Sequence, residues 1–230
     1  MPAVKNHLIE ILPRKDRQRL LAICEPVELV LSRVLSVPGE RPRHVYFPTS
    51  GFISLVALVE GSPGVEVGMV GNEGMLGVQM ALGVPAAPWR ALVQGQGAAW
   101  RIATPAFRRE LALNPALQRG LQRYLYVLMA QHAASAGCLR FHLTGQRLAR
   151  WLLMSQDRSH SDSFHVTHEF LAYMLGMRRA GVTTAASGLQ REGLIEYRRG
   201  KVTVLNRKGL EAAACSCYCT DRQTYAQLLG

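Results

Sequence analysis

Acidic residues are scarce in this sequence. The 230 residues include 16 Asp and Glu but 27 Lys and Arg, so the formal net charge is +11. A surplus of this size favours polyanionic partners, such as nucleic acid or an acidic membrane. Apolar residues make up 48% of the chain and charged residues only 19%, a balance that argues against disorder. Length and composition predict a globular protein of one or two domains, and we expect two.

Long apolar runs and regularly spaced cysteines are also missing. No uninterrupted apolar run approaches the roughly 18 residues that indicate a transmembrane helix, and the first residues contain no signal-peptide core. The five cysteines are unevenly spread, unlike the even sets of secreted disulfide frameworks. We therefore expect a cytoplasmic protein without a membrane partner.

The motifs of common enzyme classes are absent as well. The sequence contains no P-loop, no Gly-x-Ser-x-Gly, no dinucleotide-binding fingerprint and no His-Glu-x-x-His. These motifs bind phosphates, supply a nucleophile or hold a catalytic zinc ion. The glycines at 71–74 and 95–97 are typical of turns. We therefore expect a binding protein and not an enzyme.

Residues 25–102 form short apolar runs separated by Gly and Pro. This spacing is typical of an antiparallel barrel or jelly roll. From about 105 to 137 the turn-forming residues become rare and leucines recur at helical spacing, which predicts one long helix. We interpret part of the stripe as a dimer seam of coiled-coil type; the alternative is a helix packed on its own barrel. The seam candidates are Leu117, Leu121, Leu125 and Leu128.

Three helical patterns and a hairpin follow from residue 143. The first pattern covers 146–154, the second begins after the N-cap candidate Thr167, and the third covers about 178–192. Two apolar runs flank a basic turn at 198–201, which predicts a β-hairpin. Two helices joined by a glycine-containing turn and followed by such a hairpin are typical of a winged helix-turn-helix.

The polar face of the third helix and the hairpin carry the candidate DNA contacts. Arginine pairs with the guanine edge in the major groove, and threonine bonds a base edge or touches a thymine methyl. The base-edge candidates are Arg178, Arg179, Thr183 and Thr184, and the phosphate candidates are Thr167, Arg198, Arg199 and Lys201. An ordinary solvated charged face is the alternative. However, residues 140–210 hold 12 basic and 5 acidic residues, and this surplus coincides with the predicted turn and hairpin.

The helix-turn-helix segment resembles the C-terminal signature of the Crp/Fnr family of bacterial transcription regulators. The resemblance lies in VTHEFLAYMLGMRRAGV at 166–182 and LQREGLI at 189–195. It implies a sensor domain, a dimerisation helix and a homodimer on a near-palindromic operator in double-stranded DNA, with RNA polymerase as a partner if the protein is an activator. Arg179 is similar to the family arginine that reads guanine. Ala180 and Thr184 replace a familiar Glu and Arg, so a different target sequence is expected.

The sensor half resembles the family less closely. Members that bind cyclic nucleotides carry Gly-Glu for the ribose and Arg-Ser or Arg-Thr for the phosphate. The nearest counterparts here are Gly77-Val78 and Arg90-Ala91, with Glu73 available under a shifted alignment. Because the ribose carboxylate and the hydroxyl are missing, the resemblance implies a degenerate cyclic-nucleotide pocket. A cyclic nucleotide is therefore disfavoured, Arg90 keeps a phosphate-binding side chain, and the effector or cofactor is left unassigned.

Three cysteines, Cys215, Cys217 and Cys219, form a C-x-C-x-C group near the C-terminus. Thiolates bind zinc or iron–sulfur clusters and respond to oxidation. Structural zinc sites more often use C-x-x-C pairs. No metal site is therefore predicted, and these three residues are the candidates if one exists.

The sequence predicts an α+β protein with three parts. A sensor-like antiparallel jelly roll of the cyclic-nucleotide-binding type covers 1–137 and ends in a dimerisation helix at about 105–137. A winged helix-turn-helix domain covers 138–210, and a Cys-containing tail covers 211–230. The predicted function is sequence-specific regulation of transcription. The alternative is a small-molecule or redox-sensing module whose C-terminal domain mediates assembly; salt-dependent DNA affinity distinguishes the two.

Overall fold

The computed structural model describes residues 5–62 and 64–230. Residues 1–4 and Pro63 lie outside these residues. The signal-peptide prediction used the former, and the prediction of turns at Gly and Pro used the latter. Within the described residues, no helix combines the length and apolar character needed to cross a membrane. The architecture is a curled antiparallel sheet, a long helix and a helical domain with a small sheet, which confirms the predicted α+β class.

The N-terminal half is built on a five-stranded antiparallel sheet in the order β1-β5-β3-β4, with β2 also paired to β5. Two helices precede it, α1 (His7–Glu10) and α2 (Arg14–Leu21). The strands are β1 (Glu25–Leu29), β2 (Val34–Ser36), β3 (His44–Ala57), β4 (Val65–Val70) and β5 (Arg90–Ala103). A short 3-10 helix, Val78–Leu82, lies between β4 and β5.

The long strands β3 and β5 curl the sheet around its core. Their pairing shifts register three times between Pro48 and Ile53, and such bulges bend a strand and increase its twist. Gly51 sits among these shifts with φ +71°, and a Cβ there would lie 2.4 Å from the carbonyl oxygen of Gly95. Only glycine fits so close a strand approach. The bend keeps two predicted apolar runs within the single strand β3.

The predicted single helix over 105–137 is in fact two helices, α3 (Thr104–Leu113) and α4 (Pro115–Phe141). Asn114 separates them, and its side chain accepts a 2.9 Å hydrogen bond from the backbone N–H of Leu117. Pro115 has no N–H to continue α3 and suits the first turn of a new helix. Helix α4 then continues beyond residue 137, so the predicted domain boundary falls inside it.

Three of the four predicted seam leucines face inward. Leu117, Leu121 and Leu128 are buried in the core that α4 shares with the sheet, and Leu125 is half-buried against the same core. The interpretation of this stripe as a seam between chains is therefore wrong for those three residues. Burial against the curled sheet already removes their apolar surface from water, which is the packing alternative considered above.

The C-terminal half holds a helix-turn-helix and a three-stranded sheet in the order β6-β8-β7. Its elements are α5 (Thr144–Ser159), β6 (Ser163–His165), α6 (His168–Met174), α7 (Arg179–Arg191), β7 (Ile195–Arg198), β8 (Lys201–Val204), α8 (Arg207–Ala213) and α9 (Cys217–Leu229). Apolar positions of α5, α6 and α7, including Leu152, Leu171 and Val182, form one buried core.

The predicted C-terminal tail is helical and packed. Residues 211–213 complete α8, and α9 runs back to the N-terminal half, where Leu229 joins the core of the curled sheet. The Tyr225 hydroxyl donates a 2.9 Å hydrogen bond to the carbonyl oxygen of Glu73. Helix α9 therefore fastens the two halves of the molecule together.

Candidate nucleic-acid interface

The turn between α6 and α7 has the local geometry of a helix-turn-helix. The Thr167 hydroxyl accepts a 3.1 Å hydrogen bond from the backbone N–H of Phe170, as expected for the predicted N-cap. Helix α6 ends at Met174, and Gly176 takes φ +58° in the turn. Helix α7 then begins after Arg178. Its buried face packs on α5, so its polar face points outward.

All four base-edge candidates lie on this outward face. Arg178 precedes the first turn of α7, Arg179 begins it, and Thr183 and Thr184 follow one turn later. All four side chains are exposed. At about 3.6 residues per turn, Thr183 lies one turn after Arg179 on the same side of α7, Thr184 lies further round the exposed part of the helix, and Arg178 is its N-cap residue.

Both threonine hydroxyls are already held by local hydrogen bonds. The Thr183 hydroxyl lies 3.1 Å from the carbonyl oxygen of Arg179 and 3.0 Å from Nδ1 of His168. The Thr184 hydroxyl donates to the carbonyl oxygen of Ala180 at 3.1 Å. These bonds fix the side chains in one orientation and leave their methyl groups available for apolar contact.

His168 begins α6 and is half-buried beside α7. Burial lowers its pKa, and the positive charge of Arg179 lowers it further, so the imidazole is neutral at pH 7. Its ring centroid lies 4.4 Å from that of Tyr197 in β7. His168 therefore links α6, α7 and the hairpin without adding a charge. This role becomes visible only from the packing of β7 beside α6 and α7.

The predicted wing is the hairpin of β7 and β8, and it is fixed to the rest of the domain. Arg199 and Gly200 both have positive φ, +50° and +76°, which is the signature of a two-residue type I′ turn. The backbone N–H of Tyr197 donates to Oε1 of Gln190 in α7 at 2.8 Å, and the Tyr197 hydroxyl donates to the carbonyl oxygen of Val166. The basic tip therefore has a defined position beside the recognition helix.

The basic side chains of this surface are free to meet an anion. Arg198, Arg199 and Lys201 are exposed, as are Arg178 and Arg179. Across residues 5–62 and 64–230, no ion pair includes any of these five side chains. Clustered charges of one sign raise the local concentration of a polyanion such as DNA. The surface therefore has the charge and shape that a duplex requires.

The predicted effector residues lie in different places. Glu73 forms a 2.7 Å ion pair with Arg158 of α5, and Ala91 is buried in the sheet core. Gly77 lines a cavity of only about 10 Å³ between the sheet and α4. Arg90 faces a separate cavity of about 1080 Å³ between the sheet and α6, together with Thr167 and Arg178. The structure does not bring the four residues into one pocket.

The three candidate cysteines near the C-terminus do not lie together as one group. Cys215 and Cys217 lie beside Cys138 and His142, while Cys219 is exposed and outside this group. Sequence reasoning missed Cys138 and His142 because more than 70 residues separate them from the other two. The signal available was their spacing of four residues, which places both on one helix face.

Comparison with protein families finds one match. Residues 146–213 match the Crp-like helix-turn-helix domain, a range that includes most of α5 and ends with α8. The match covers the predicted turn, the recognition helix and the wing. Comparison with curated proteins finds no match.

Comparison with solved structures finds a similar fold in three bacterial proteins. FixK2 from Bradyrhizobium japonicum is 13% identical with a TM-score of 0.70, over 84% of this chain and 98% of that chain. The c-di-GMP responsive global regulator CLP from Xanthomonas campestris is 18% identical with a TM-score of 0.66, over 84% and 99%. A putative transcriptional regulator of the Crp/Fnr family from Eubacterium rectale is 16% identical with a TM-score of 0.65, over 91% and 99%.

These likenesses show the fold of most of the chain, and the matched domain shows its helix-turn-helix part. Two of these three proteins are named as regulators. The outward polar face of α7 and the basic wing lie within the matched residues. Residues 146–213 are thus similar to the Crp-like helix-turn-helix domain, and the fold of the chain is similar to that of a putative transcriptional regulator of the Crp/Fnr family.

Proposed function

We propose that this protein binds a near-palindromic operator as a homodimer and regulates transcription there. Helix α7 lies in the major groove, with Arg178, Arg179, Thr183 and Thr184 toward base edges. The observation that carries the proposal is the exposed, unpaired pair Arg178-Arg179 at the start of α7, next to a rigid basic wing. Arg198, Arg199, Lys201 and Thr167 are assigned to the phosphates.

The homodimer is proposed to form through the outer face of α4. Tyr126 and Met129 expose 61% and 68% of their surface, and exposed Ala133 continues the row at a four-residue step. Apolar and small side chains at steps of three and four are typical of a helix that pairs with a second copy. Two-fold symmetry then sets the half-sites one helical turn of DNA apart, about 34–36 Å, or a multiple of it.

The sensor half is proposed to have lost cyclic-nucleotide binding. Glu73 is engaged by Arg158 of α5, and the cavity beside Gly77 is far smaller than the roughly 300 Å³ of common ligand pockets. The proposed domains remain the sensor half, the helix-turn-helix domain and the C-terminal segment. If the protein is an activator, RNA polymerase is its further partner, and the site of action is the cytoplasm.

Selection of DNA fragments by the full-length protein tests operator binding. The selection is run at two salt concentrations with the wild type, with Arg179→Ala, and with Arg109→Ala as a control from α3. We expect the wild type and the control to enrich the same near-palindrome, and Arg179→Ala to lose it. Affinity should fall steeply with salt because phosphate contacts release counterions.

Absence of enrichment, or equal losses by Arg179→Ala on specific and random DNA, would contradict the proposed readout. The alternative function, a sensing module whose C-terminal domain mediates assembly, predicts little salt dependence of DNA affinity. It also predicts that the oligomer depends on the helix-turn-helix domain rather than on α4.

The oligomeric state tests the proposed dimer face independently of DNA. Met129→Glu places a charge on the outer face of α4 and should convert a dimer into a monomer, as measured by light scattering after gel filtration. Leu113→Glu is the matched control, because Leu113 is equally exposed, at 69%, but lies at the end of α3. An unchanged dimer in Met129→Glu would rule out this face.

A further inference from the structure

Four potential metal ligands lie together where α4 meets the C-terminal helix. Cys138 is in the last turn of α4, and His142 is its C-cap residue. Cys215 lies between α8 and α9, and Cys217 begins α9. Their ligand atoms all lie within 4.8 Å of one another. Two distant parts of the chain therefore deliver three sulfur atoms and one imidazole nitrogen to the same point.

The distances within the group fit a single tetrahedral ion. The Sγ atoms of Cys138 and Cys215 are 3.5 Å apart, and Sγ of Cys217 is 3.6 Å from Nδ1 of His142. Around a tetrahedral zinc ion, bonds of about 2.3 Å to sulfur and about 2.0–2.1 Å to nitrogen separate two sulfurs by about 3.8 Å and sulfur from nitrogen by about 3.6 Å. Two of the distances thus lie close to the tetrahedral values, and the remaining pairs, all within 4.8 Å, need only small side-chain shifts to close around an ion.

The donor set favours zinc over the other groups that cysteines hold. Three cysteines and one histidine form a closed coordination shell that is typical of structural zinc sites. An iron–sulfur cluster places additional iron and sulfide atoms between its cysteine ligands, for which a group within 4.8 Å has too little space. A disulfide between Cys138 and Cys215 would use two of the four side chains and leave the positions of the other two unexplained.

The surroundings of the group suit a negatively charged complex. Three thiolates and one Zn²⁺ ion carry a net charge of −1. Arg147 lines the same small cavity as Cys138, and its positive charge compensates that of the complex, while Arg150 in the same cavity is paired with Asp221. Cys138 and Cys215 are buried while His142 and Cys217 are half-buried, so the site is shielded and still open to an entering ion.

We propose that Cys138, His142, Cys215 and Cys217 bind one structural zinc ion. The ligands bracket the helix-turn-helix domain, since two precede residue 146 and two follow residue 213. The ion ties the end of α4 to the start of α9 and so closes the domain at both of its ends. Binding displaces the thiol protons, which makes the zinc affinity increase with pH.

Metal analysis of the full-length, untagged protein tests the site. The protein is purified without chelators, and metals are measured by mass spectrometry for the wild type, Cys138→Ser, His142→Asn, Cys215→Ser and Cys217→Ser. Cys219→Ser is the matched control, because Cys219 is exposed and lies outside the group. We expect about one zinc per chain in the wild type and the control, and at least a tenfold loss in Cys138→Ser, Cys215→Ser and Cys217→Ser.

Cobalt substitution keeps the test valid if a variant fails to fold. Wild-type protein stripped of metal and titrated with Co²⁺ should show sulfur-to-cobalt charge-transfer bands and the strong visible bands of tetrahedral Co²⁺. Added Zn²⁺ should remove them. His142→Asn should shift the visible bands, because a nitrogen ligand is lost. Circular dichroism establishes which variants are folded.

Four results would overturn the proposal. The first is a folded wild type that contains no zinc and shows no cobalt bands, and the second is iron with acid-labile sulfide in place of zinc. The third is a Cys138–Cys215 disulfide found by mass spectrometry in the protein as purified. The fourth is zinc retained in folded Cys138→Ser. Loss of DNA binding alone has no bearing on it, since the metal content is measured without DNA.

Discussion

Two neighbouring regions of the C-terminal half use arginine in opposite ways. On α5, Arg150 and Arg158 are buried and form 2.7 Å ion pairs with Asp221 and Glu73. On α7 and the wing, five basic side chains are exposed and have no acidic partner among the described residues. The first set holds the domain to α9 and to the sensor half. The second set is the one proposed to contact DNA.

The difference shows that the net charge counted along a segment is not the same as the unpaired charge on its surface, which is what a ligand contacts. Residues 140–210 hold 12 basic residues, but Arg150, Arg158 and Arg207 are neutralised internally by carboxylates. A buried arginine stabilises the fold only when a partner neutralises its charge. An exposed arginine attracts a charged ligand over a distance that the ionic strength limits. Substitutions in the buried set should therefore lower the free energy of unfolding, whereas substitutions in the exposed set should lower DNA affinity.

The largest effect is expected for Arg158→Ala. Removing this guanidinium leaves Glu73 without its partner in a largely buried place, which should lower the free energy of unfolding by about 3 kcal/mol. Urea denaturation followed by circular dichroism measures the loss. The double variant Glu73→Gln, Arg158→Met should recover part of it. A loss below about 1 kcal/mol would mean that the pair does not stabilise the junction.

Arg179→Ala should show the reverse pattern. We expect about 1–3 kcal/mol loss in binding to the selected operator, because the arginine is assigned to a base edge. The free energy of unfolding should change by less than about 0.5 kcal/mol, since the side chain is exposed and unpaired. Fluorescence anisotropy and urea denaturation of the same sample provide both values. If Arg179→Ala lowered the free energy of unfolding as much as Arg158→Ala does, the proposed difference between the two sets of arginines would be wrong.

Glu66 gives the contact between β4 and α5 a pH dependence. Burial raises the pKa of this carboxyl to about 7, although the hydrogen bond from Trp151 and the charges of Arg158 and Arg150 act in the opposite direction. The folded protein therefore holds this proton more tightly than the unfolded chain, whose ordinary pKa is about 4.5. The stabilisation is complete below about pH 4.5 and is lost as pH rises through about 7.

Glu66→Gln keeps an oxygen acceptor for Trp151 and removes the ionisation. It should raise the free energy of unfolding by about 1–2 kcal/mol at pH 8 and have little effect at pH 5. Urea denaturation at both pH values measures the difference. An equal effect at pH 5 and pH 8 would show that Glu66 does not titrate in this range.

The smallest effect is expected for Lys201→Ala in the wing. A phosphate contact carries no sequence information, so affinity should fall about equally on operator and random DNA. The slope of log affinity against log salt should decrease by about 1. A titration over several salt concentrations measures this slope. A loss confined to the operator would assign Lys201 to base readout instead.

The helix-turn-helix was predictable from sequence because its signals are local. Thr167 caps α6, Gly176 takes the positive φ of the turn, and Gly200 takes that of the wing. Each of these conformations follows from the chemistry of one residue and its near neighbours. The start of α7 agrees with the prediction within one residue for the same reason.

The faces of α4 could not be assigned in the same way. The periodicity of Leu117, Leu121 and Leu128 indicates that one helix face is buried, but it does not identify the surface that covers it. The curled sheet covers it here, and the exposed row of Tyr126 and Met129 becomes visible only after that packing is known. An apolar stripe has the same pattern whether its partner is the same chain or another.

The sequence by itself determined the Crp-like type of the helix-turn-helix domain, the α+β class of the protein and the position of its recognition helix. These depend on capping residues, turn glycines and apolar periods, all of which act over a few residues. The tertiary structure decided which arginines face solvent, which face of α4 is exposed, and that Cys138 and His142 meet Cys215 and Cys217. Those outcomes depend on packing between segments far apart in the chain, which no local pattern encodes.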